Sequence, residues 1–493
     1  MNFNDLELKY PDVLKLLNTL QTRVGREDAS LANGHKVRLE KLWRMNAFLD
    51  RVGVSVETLD KNLSVIHVAG SKGKGSTCAY CESILRHHGF KTGFFSSPHL
   101  LSVQERIRIG GKPISAAKFS EYFMDVYNKL HTGNADEAGL PTYFQALTVM
   151  AFYVFLKEKV DVAILEVGLG GVHDCTNVLN NVPVVGITSL QLEHTDRLGN
   201  TLSEIAWNKA GIMKPGCMAF TTNGQAAEAL DVLKETATEV DCVLVEVPPL
   251  SEYSSKGDID IHLGIPGSVQ SLNASLAVQL SKAWLNRNSN EYKSRLEKGV
   301  LDLSINETIA SGLRNCQWPG RNQTVIQNNI RYYLDGAHTP ESVALCVEWY
   351  LNSIKLDSNN NIKRGLIFNS IGNRDAASML APLIQCDFDF VLFCPNICYS
   401  DPDDQPESLK NLLCSVDQMM ARCNKHMKVW SQLPASDNSA SIIKVLPSVS
   451  DSFKFIKQQS TSTESNVTYH VLVTGSLHLI GNAINVLDPG LAS

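Results

Sequence analysis

Short apolar runs alternate with helix-period segments through the first three hundred residues. Leu63 to Ala69, Val160 to Leu165 and Val182 to Ser189 read as buried strands, being nearly continuous apolar runs too short to be ordinary helices. Thr77 to His88 reads as a helix that Gly89 stops. This alternation predicts a mostly parallel sheet covered by helices. A second series follows, with Tyr332 to Leu334, Gly365 to Asn369, Phe390 to Phe393 and His470 to Thr474 as strands. Pro340 to Leu351 and Asp375 to Ile384 are the helices expected between them. The fold class is therefore α/β, a mostly parallel sheet domain followed by a second, smaller α/β domain. Apolar periodicity lapses between Ile305 and Gln317, ahead of Trp318-Pro319-Gly320-Arg321, so the expected domains are 1–310 and 311–493. Ser358 to Asn361 and Gln458 to Asn466 lack hydrophobic period and are expected to be surface loops. No internal repeat is visible.

Length supports the division, because 493 residues exceed the roughly 100 to 200 of a usual domain. Hydrophobic residues at 44% and charged residues at 19% describe a folded chain rather than a disordered one. A formal net charge of -6 leaves no basic footprint for a phosphate backbone, which excludes nucleic acid as the first expectation. The 12 cysteines have neither zinc-ligand spacing nor the density of a disulfide scaffold, so reduced thiols in a cytoplasmic protein are expected. Met1 to Glu7 carries acids early and lacks the character of a signal or transit segment. A mitochondrial form from an upstream start stays open. No run reaches the apolar length of about 20 residues that spans a bilayer.

Candidate chemistry begins after the first strand, at Gly70-Ser71-Lys72-Gly73-Lys74-Gly75-Ser76. Strand, glycine loop and helix N-terminus make a phosphate cradle: glycines let backbone N–H groups approach, and the helix dipole favours negative charge. Lys74 would neutralise β and γ oxygens, and Ser76 could hold Mg²⁺. The spacing is a variant of the common form, with Gly75 between Lys74 and Ser76.

In open α/β sheets ligands collect beyond the carboxyl ends of strands. Glu166 ends one apolar run and precedes Gly168-Leu169-Gly170-Gly171, which suits a Mg²⁺-binding acid; the alternative is a carboxylate capping its own turn. Ser96-Ser97-Pro98-His99 follows Gly93-Phe94-Phe95, and by itself reads as a turn. His194, five residues past Ser189, reads by itself as a hydrogen-bonded loop residue, since magnesium prefers oxygen.

Taken together, these strings resemble the folylpolyglutamate synthase family, in its eukaryotic form, within the Mur ligase superfamily. The resemblance covers nearly the whole chain. Its markers include Tyr10-Pro11, the string from His67 to Thr77, Thr92 to Leu100, Glu105 to Ile109, Glu166 to Gly171, Asp174-Cys175-Thr176-Asn177 and Leu334-Asp335-Gly336-Ala337-His338. It implies a Mur-ligase-type N-terminal ATP-binding domain, with Gly73, Lys74, Gly75 and Ser76 on ATP and with Ser97, Glu166 and His194 as magnesium ligands. It also implies Arg321 and Asp335 as nucleotide contacts from the C-terminal ligase domain, and Lys74, Glu166 and His194 as the catalytic set.

The implied activity is ATP-dependent addition of L-glutamate to the glutamyl carboxylate of tetrahydrofolate and its polyglutamates through an acyl phosphate. Mg²⁺ is the implied metal, a monovalent cation such as K⁺ a further candidate, and a monomer the expected form. Folate is expected near Phe95 to Leu100 and Tyr143-Phe144-Gln145, with Tyr143 and Gln145 as candidate contacts and ordinary core packing as the alternative for Phe144. The rivals are a dihydrofolate synthase or bifunctional enzyme, and, outside enzymes, a nucleotide-dependent switch protein. Several residues depart from the family pattern: Gln191, Glu193 before His194, Val172-His173 and Asn373. Lys209 occupies a position that is carbamylated in some bacterial members.

Overall fold

The computed structural model describes residues 9–21, 34–131, 138–255, 259–355, 361–372, 374–401, 415–434, 442–462 and 467–488. The chain forms two compact units, and each is α/β. The first holds residues to His99, Val103–Gly264 and Gln270–Cys316; the second holds Leu100–Ser102, Ile265–Val269 and the chain from Gln317 on.

The first unit is built on an eight-stranded sheet. Its strands are β1 (Val65–Ala69), β2 (Thr92–Phe95), β3 (Ile107–Ile109), β4 (Lys112–Pro113), β5 (Val162–Glu166), β6 (Val184–Ile187), β7 (Met218–Thr222) and β8 (Val243–Val247). They lie in the order β4-β3-β2-β5-β1-β6-β7-β8. From β2 to β8 every pair is parallel, and only the β2-β3-β4 edge is antiparallel. The central strands are buried along their whole length, which is why they read as continuous apolar runs rather than alternating ones. Parallel direction carries the ends of β2, β5, β1 and β6 to one edge, where Ser96, Val167, Gly70 and Thr188 follow them.

The helix after β1, Lys74–His87, is buried from Ser76 to Leu85. It is packed closely by the helix Glu307–Arg314, where a Cβ on Gly312 would stand 2.6 Å from the Ile84 Cα, and Ser83 donates to the Gly312 carbonyl at 2.7 Å. The 310/311 boundary expected from sequence falls inside that helix, and the compact unit runs on through Cys316. A two-stranded sheet pairs β9 (Ser254–Ser255) with β10 (Ser304–Ile305).

The second unit carries a six-stranded sheet: β11 (Gln323–Gln327), β12 (Ile330–Asp335), β13 (Ile362–Phe368), β14 (Phe390–Phe393), β15 (Ile442–Val445) and β16 (Thr468–Thr474). The order is β11-β12-β16-β13-β14-β15, with only β11 antiparallel. Both faces are apolar and covered, one around Tyr332, Val471 and Ile480 and the other around Tyr350, Leu366 and Phe393. Two sequence expectations are corrected here. The stretch from Gln458 is helical as far as Ser462, closing the helix Val449–Ser462, because Phe453 and Ile456 anchor that helix in the core. The single helix expected over Asp375 to Ile384 is a short α-helix, Ala376–Leu380, followed by a 3-10 turn, Ala381–Cys386, since Pro382 has no N–H to continue it. Asn373 and most of Ser358 to Asn361 lie outside the described residues.

Polar groups inside the first core are tightly specified. Thr176 Oγ1 donates to Asp174 at 2.6 Å, so its 2.8 Å contact with His67 Nε2 on β1 requires the imidazole to be the donor. Burial pulls the His67 pKa down to about 3, and Lys214 adds to the effect. A histidine held neutral in the folded state costs stability wherever the unfolded chain takes up a proton. Stability is therefore expected to fall as pH drops from 6.5 toward 3. At pH 5 His67 accounts for about 2 kcal/mol of that loss. Denaturant unfolding of the parent and of His67→Gln at pH 7 and pH 5 checks this, the variant showing the shallower decline.

Candidate active site

The phosphate loop is shaped by how closely its backbone approaches other elements. Gly70 has φ 149° and Gly73 φ 89°. A Cβ on Gly70 would lie 1.7 Å from Thr188 Oγ1, and one on Gly73 2.1 Å from Asn273 Oδ1. Only glycine fits either place, for conformation and for space. Thr188 follows β6 and Asn273 sits on the helix Gln270–Leu285, so the loop is walled by two elements remote in sequence.

A second loop, after β6, is tied to the first. Ser71 and Lys72 donate their amides to the Ser189 carbonyl at 3.0 and 3.2 Å. Ser71 Oγ donates to the Gln191 carbonyl at 2.9 Å and accepts from the Gln191 amide at 3.0 Å. Lys72 forms a close ion pair with Glu193. Glu193, where the chain leaves the family pattern, thus fastens the two loops together. Next to it His194 takes the left-handed conformation at φ 52°. Its side chain is exposed, and its pKa is lowered by partial desolvation, with Glu193 opposing and Lys209 and Lys74 reinforcing the shift. A neutral imidazole is the form that can ligate a metal.

Two lysines share one carbonyl. Lys74 Nζ donates to the Gly70 carbonyl at 3.0 Å and to that of Ser71 at 3.4 Å, while Lys209 Nζ reaches the Gly70 carbonyl at 2.8 Å. Lys209 is buried, and that burial together with the Lys74 charge brings its pKa down to about 7. Two ammonium groups at one oxygen leave positive potential where an anion would sit. Sequence reading placed Lys74 there from its motif; nothing local marks Lys209, 139 residues from Gly70.

On the other side of β1, Glu166 is buried at the end of β5 and accepts the Ser97 amide at 3.0 Å. Ser97 and Glu166 are thereby brought together, with Ser97-Pro98 as a cis peptide. The loop after Glu166 is held by Asp174, which accepts the Leu169 amide at 2.9 Å and the Thr176 amide at 3.0 Å. Phe144 packs over this loop, where a Cβ on Gly168 would stand 2.5 Å from its ring. Tyr143 lies under the Arg106 guanidinium, 5.6 Å from ring centroid to Cζ. Gln145 closes a capping box, its side-chain carbonyl accepting from the Thr142 amide at 2.9 Å and hydroxyl at 3.0 Å. That oxygen is committed to the helix start, so Gln145 acts first as a cap.

Within the second unit, Asp335 ends β12 and accepts the amides of Asn322 and Ala337, both at 2.9 Å. Burial raises its pKa, and the neighbouring Arg321 opposes the shift. Arg321 and Asp335 are brought together, with the carboxylate fixing the turn that carries the arginine.

No protein-family model matches the chain. The folylpolyglutamate synthase named as mitochondrial from Bos taurus is 38% identical over 99% of this chain and 93% of its own length. The chain belongs to the folylpolyglutamate synthase family. Its fold is similar to that of the Mycobacterium tuberculosis folylpolyglutamate synthase complexed with ADP and AMPPCP, at a TM-score of 0.68 and 24% identity, covering 94% of this chain and 99% of that one. A bifunctional folylpolyglutamate synthase/dihydrofolate synthase from Yersinia pestis, complexed with AMPPNP and Mn ion, aligns at a TM-score of 0.64 and 25% identity over 90% and 93% of the two chains. The two-domain α/β architecture is thus that of the family.

The crowding at Gly70 gives a direct test. Gly70→Ala must displace Thr188, at a cost of about 1–3 kcal/mol, and weaken nucleotide binding on the order of tenfold or more. Gly53→Ala, at φ 79° with nothing within 4 Å of the added carbon, should leave nucleotide affinity unchanged. Calorimetric titration with a non-hydrolysable ATP analogue distinguishes the two.

Proposed function

We propose that this chain is an ATP-dependent ligase that adds L-glutamate to the glutamyl carboxylate of reduced folates, tetrahydrofolate and its polyglutamates. The observation that carries the reading is full-length similarity to folylpolyglutamate synthases joined to a glycine cradle that a single Cβ would fill.

A carboxylate resists amines because its charge repels them and its leaving group would be an oxide. Phosphorylation by ATP removes both obstacles: the folate carboxylate takes the γ-phosphoryl group, ADP departs, and the amine of glutamate displaces phosphate to leave an amide. In this reading Gly73, Gly75 and Ser76 hold the phosphates at the start of the helix Lys74–His87. Lys74 exchanges its bonds to the Gly70 and Ser71 carbonyls for phosphate oxygens, and Lys209 keeps the vacated carbonyl occupied. Such preorganised charge is how phosphoryl transfer is catalysed when the protein supplies little covalent chemistry.

The residues fit a magnesium ion: Glu166 and Ser97, whose amide that carboxylate accepts, bring hard oxygen donors to one place, and the lowered pKa of His194 favours the neutral imidazole. Among the described residues no three His, Cys, Asp or Glu side chains converge as a metal-binding group. Phosphate oxygens and water would complete the shell, as magnesium prefers. When bound, the ion supplies charge compensation for the transferring phosphoryl group. Arg321, on the turn that Asp335 fixes, is assigned to the nucleotide as a contact from the C-terminal domain, with Asp335 as its anchor. Tyr143 and Gln145 are assigned to the folate side, Tyr143 through its ring and Gln145 by holding the helix that carries it. The expected working form is a monomer in the cytoplasm; none of the described helices is long and apolar enough to cross a membrane. K⁺ is proposed as an additional activating ion.

ADP release measured with tetrahydrofolate or glutamate omitted in turn should fall to background in each case, and Lys74→Ala should lower turnover on the order of a hundredfold or more. Turnover that continues without either substrate would instead favour a nucleotide switch. Product analysis with dihydropteroate separates a bifunctional enzyme. A Tyr143→Ala, Gln145→Ala double variant should raise KM for tetrahydrofolate, and an unchanged KM would remove both residues from the folate side.

A further inference from the structure

The thiols of Cys217 and Cys242 lie against each other at the edge of the first sheet away from the phosphate loop. Cys217 precedes β7 and Cys242 precedes β8, and the parallel register pairs Met218 with Val243, which places the two cysteines opposite one another. The Val243 amide donates to the Cys217 carbonyl at 3.3 Å, and the Gly216 amide to the Asp241 carbonyl at 2.9 Å, so backbone bonds fix the alignment on both sides. Both side chains belong to the same face, packed in one apolar cluster. Neighbouring strands lie about 4.7–4.9 Å apart, inside the roughly 4.4–6.8 Å Cα range that a disulfide spans.

We propose that Cys217 and Cys242 form a reversible dithiol oxidation site, with Cys217 as the attacking sulfur, Cys242 as the resolving sulfur and a small peroxide as the oxidant. The Cys242 side chain next to it lowers the Cys217 pKa against the opposing effect of burial, with the charges of Lys214 and Lys293 reinforcing the fall. Lys293 Nζ stands 3.5 Å from the Gly216 carbonyl. Every other described cysteine is moved upward, chiefly by burial or, for Cys242, by the neighbouring Cys217. Thiolate character is what sets susceptibility to oxidation. Cys217 is buried, whereas Cys242 reaches solvent, so the pair opens at the Cys242 side.

The chemistry balances without help from the active site. The Cys217 thiolate attacks one peroxide oxygen; the S–O bond forms as O–O breaks, and the departing hydroxide takes the Cys242 proton to become water. The Cys242 thiolate then attacks the sulfenic sulfur. The S–S bond forms as S–O breaks, and the second hydroxide takes the proton first released by Cys217. Two thiols and one peroxide become a disulfide and two waters. The link joins the starts of β7 and β8, closing a loop that contains β7 and the crossover helix Ala227–Glu239, and in a reducing compartment it would be transient.

This inference does not depend on the ligase reading. It is tested by exposing the full chain to hydrogen peroxide, blocking residual thiols with iodoacetamide and mapping peptides by mass spectrometry. The expected product is a Cys217–Cys242 linked peptide pair lacking two hydrogens, formed about tenfold faster than oxidation at any other described cysteine and reversed by dithiothreitol. Cys242→Ser should leave Cys217 as a sulfenic acid trapped by dimedone, while Cys217→Ser should leave Cys242 reduced over the same interval. Urea-unfolded chain should lose the preference. Oxidation of another cysteine first, absence of the link in the folded parent, or equal selectivity in the unfolded chain would overturn the proposal.

Discussion

The close approach of the Gly70–Gly73 backbone to Thr188 and Asn273 governs the geometry of the whole site. A loop that must present its amides to a polyanion cannot also carry side chains on its inner face, and here the neighbours leave no room for even one carbon. The parallel sheet makes the arrangement available, because β1 lies between β5 and β6 and its carboxyl end emerges beside theirs. Each strand then contributes one component at the same edge: the phosphate loop from β1, Glu166 from β5, Ser97 from β2, and Thr188 with His194 beyond β6. The close packing of Gly312 on the loop helix supports this from behind.

Charge is distributed around that cradle with little local neutralisation. Lys74 and Lys209 converge on the Gly70 carbonyl, and burial already brings Lys209 close to giving up its proton. Lys72 is the exception, since Glu193 pairs with it. The two arrangements have different consequences. A paired lysine fastens the β6 loop to the phosphate loop and so sets where His194 stands, whereas the two lysines at one carbonyl await an anion. In the second unit Asp335 plays an anchoring part, spending both oxygens on backbone amides so that the turn bearing Arg321 has a fixed shape. A carboxylate drawn toward neutrality by burial holds its form through those amides and the nearby guanidinium.

The sequence by itself determined the two α/β sheets, the strand that feeds the phosphate loop, Lys74 as that loop's lysine, and Glu166 as the acid ending an apolar run. It could do so because full burial writes a continuous apolar run and a glycine-rich turn follows it, both of which are local signals. It missed the helix past Gln458, where packing around Phe453 overrode a lapse in periodicity. Only the tertiary structure decided that Glu193 is bound to Lys72 and that Lys209 shares a carbonyl with Lys74. Those facts are distances between residues far apart in the chain, set by strand order and register, and no local pattern encodes them.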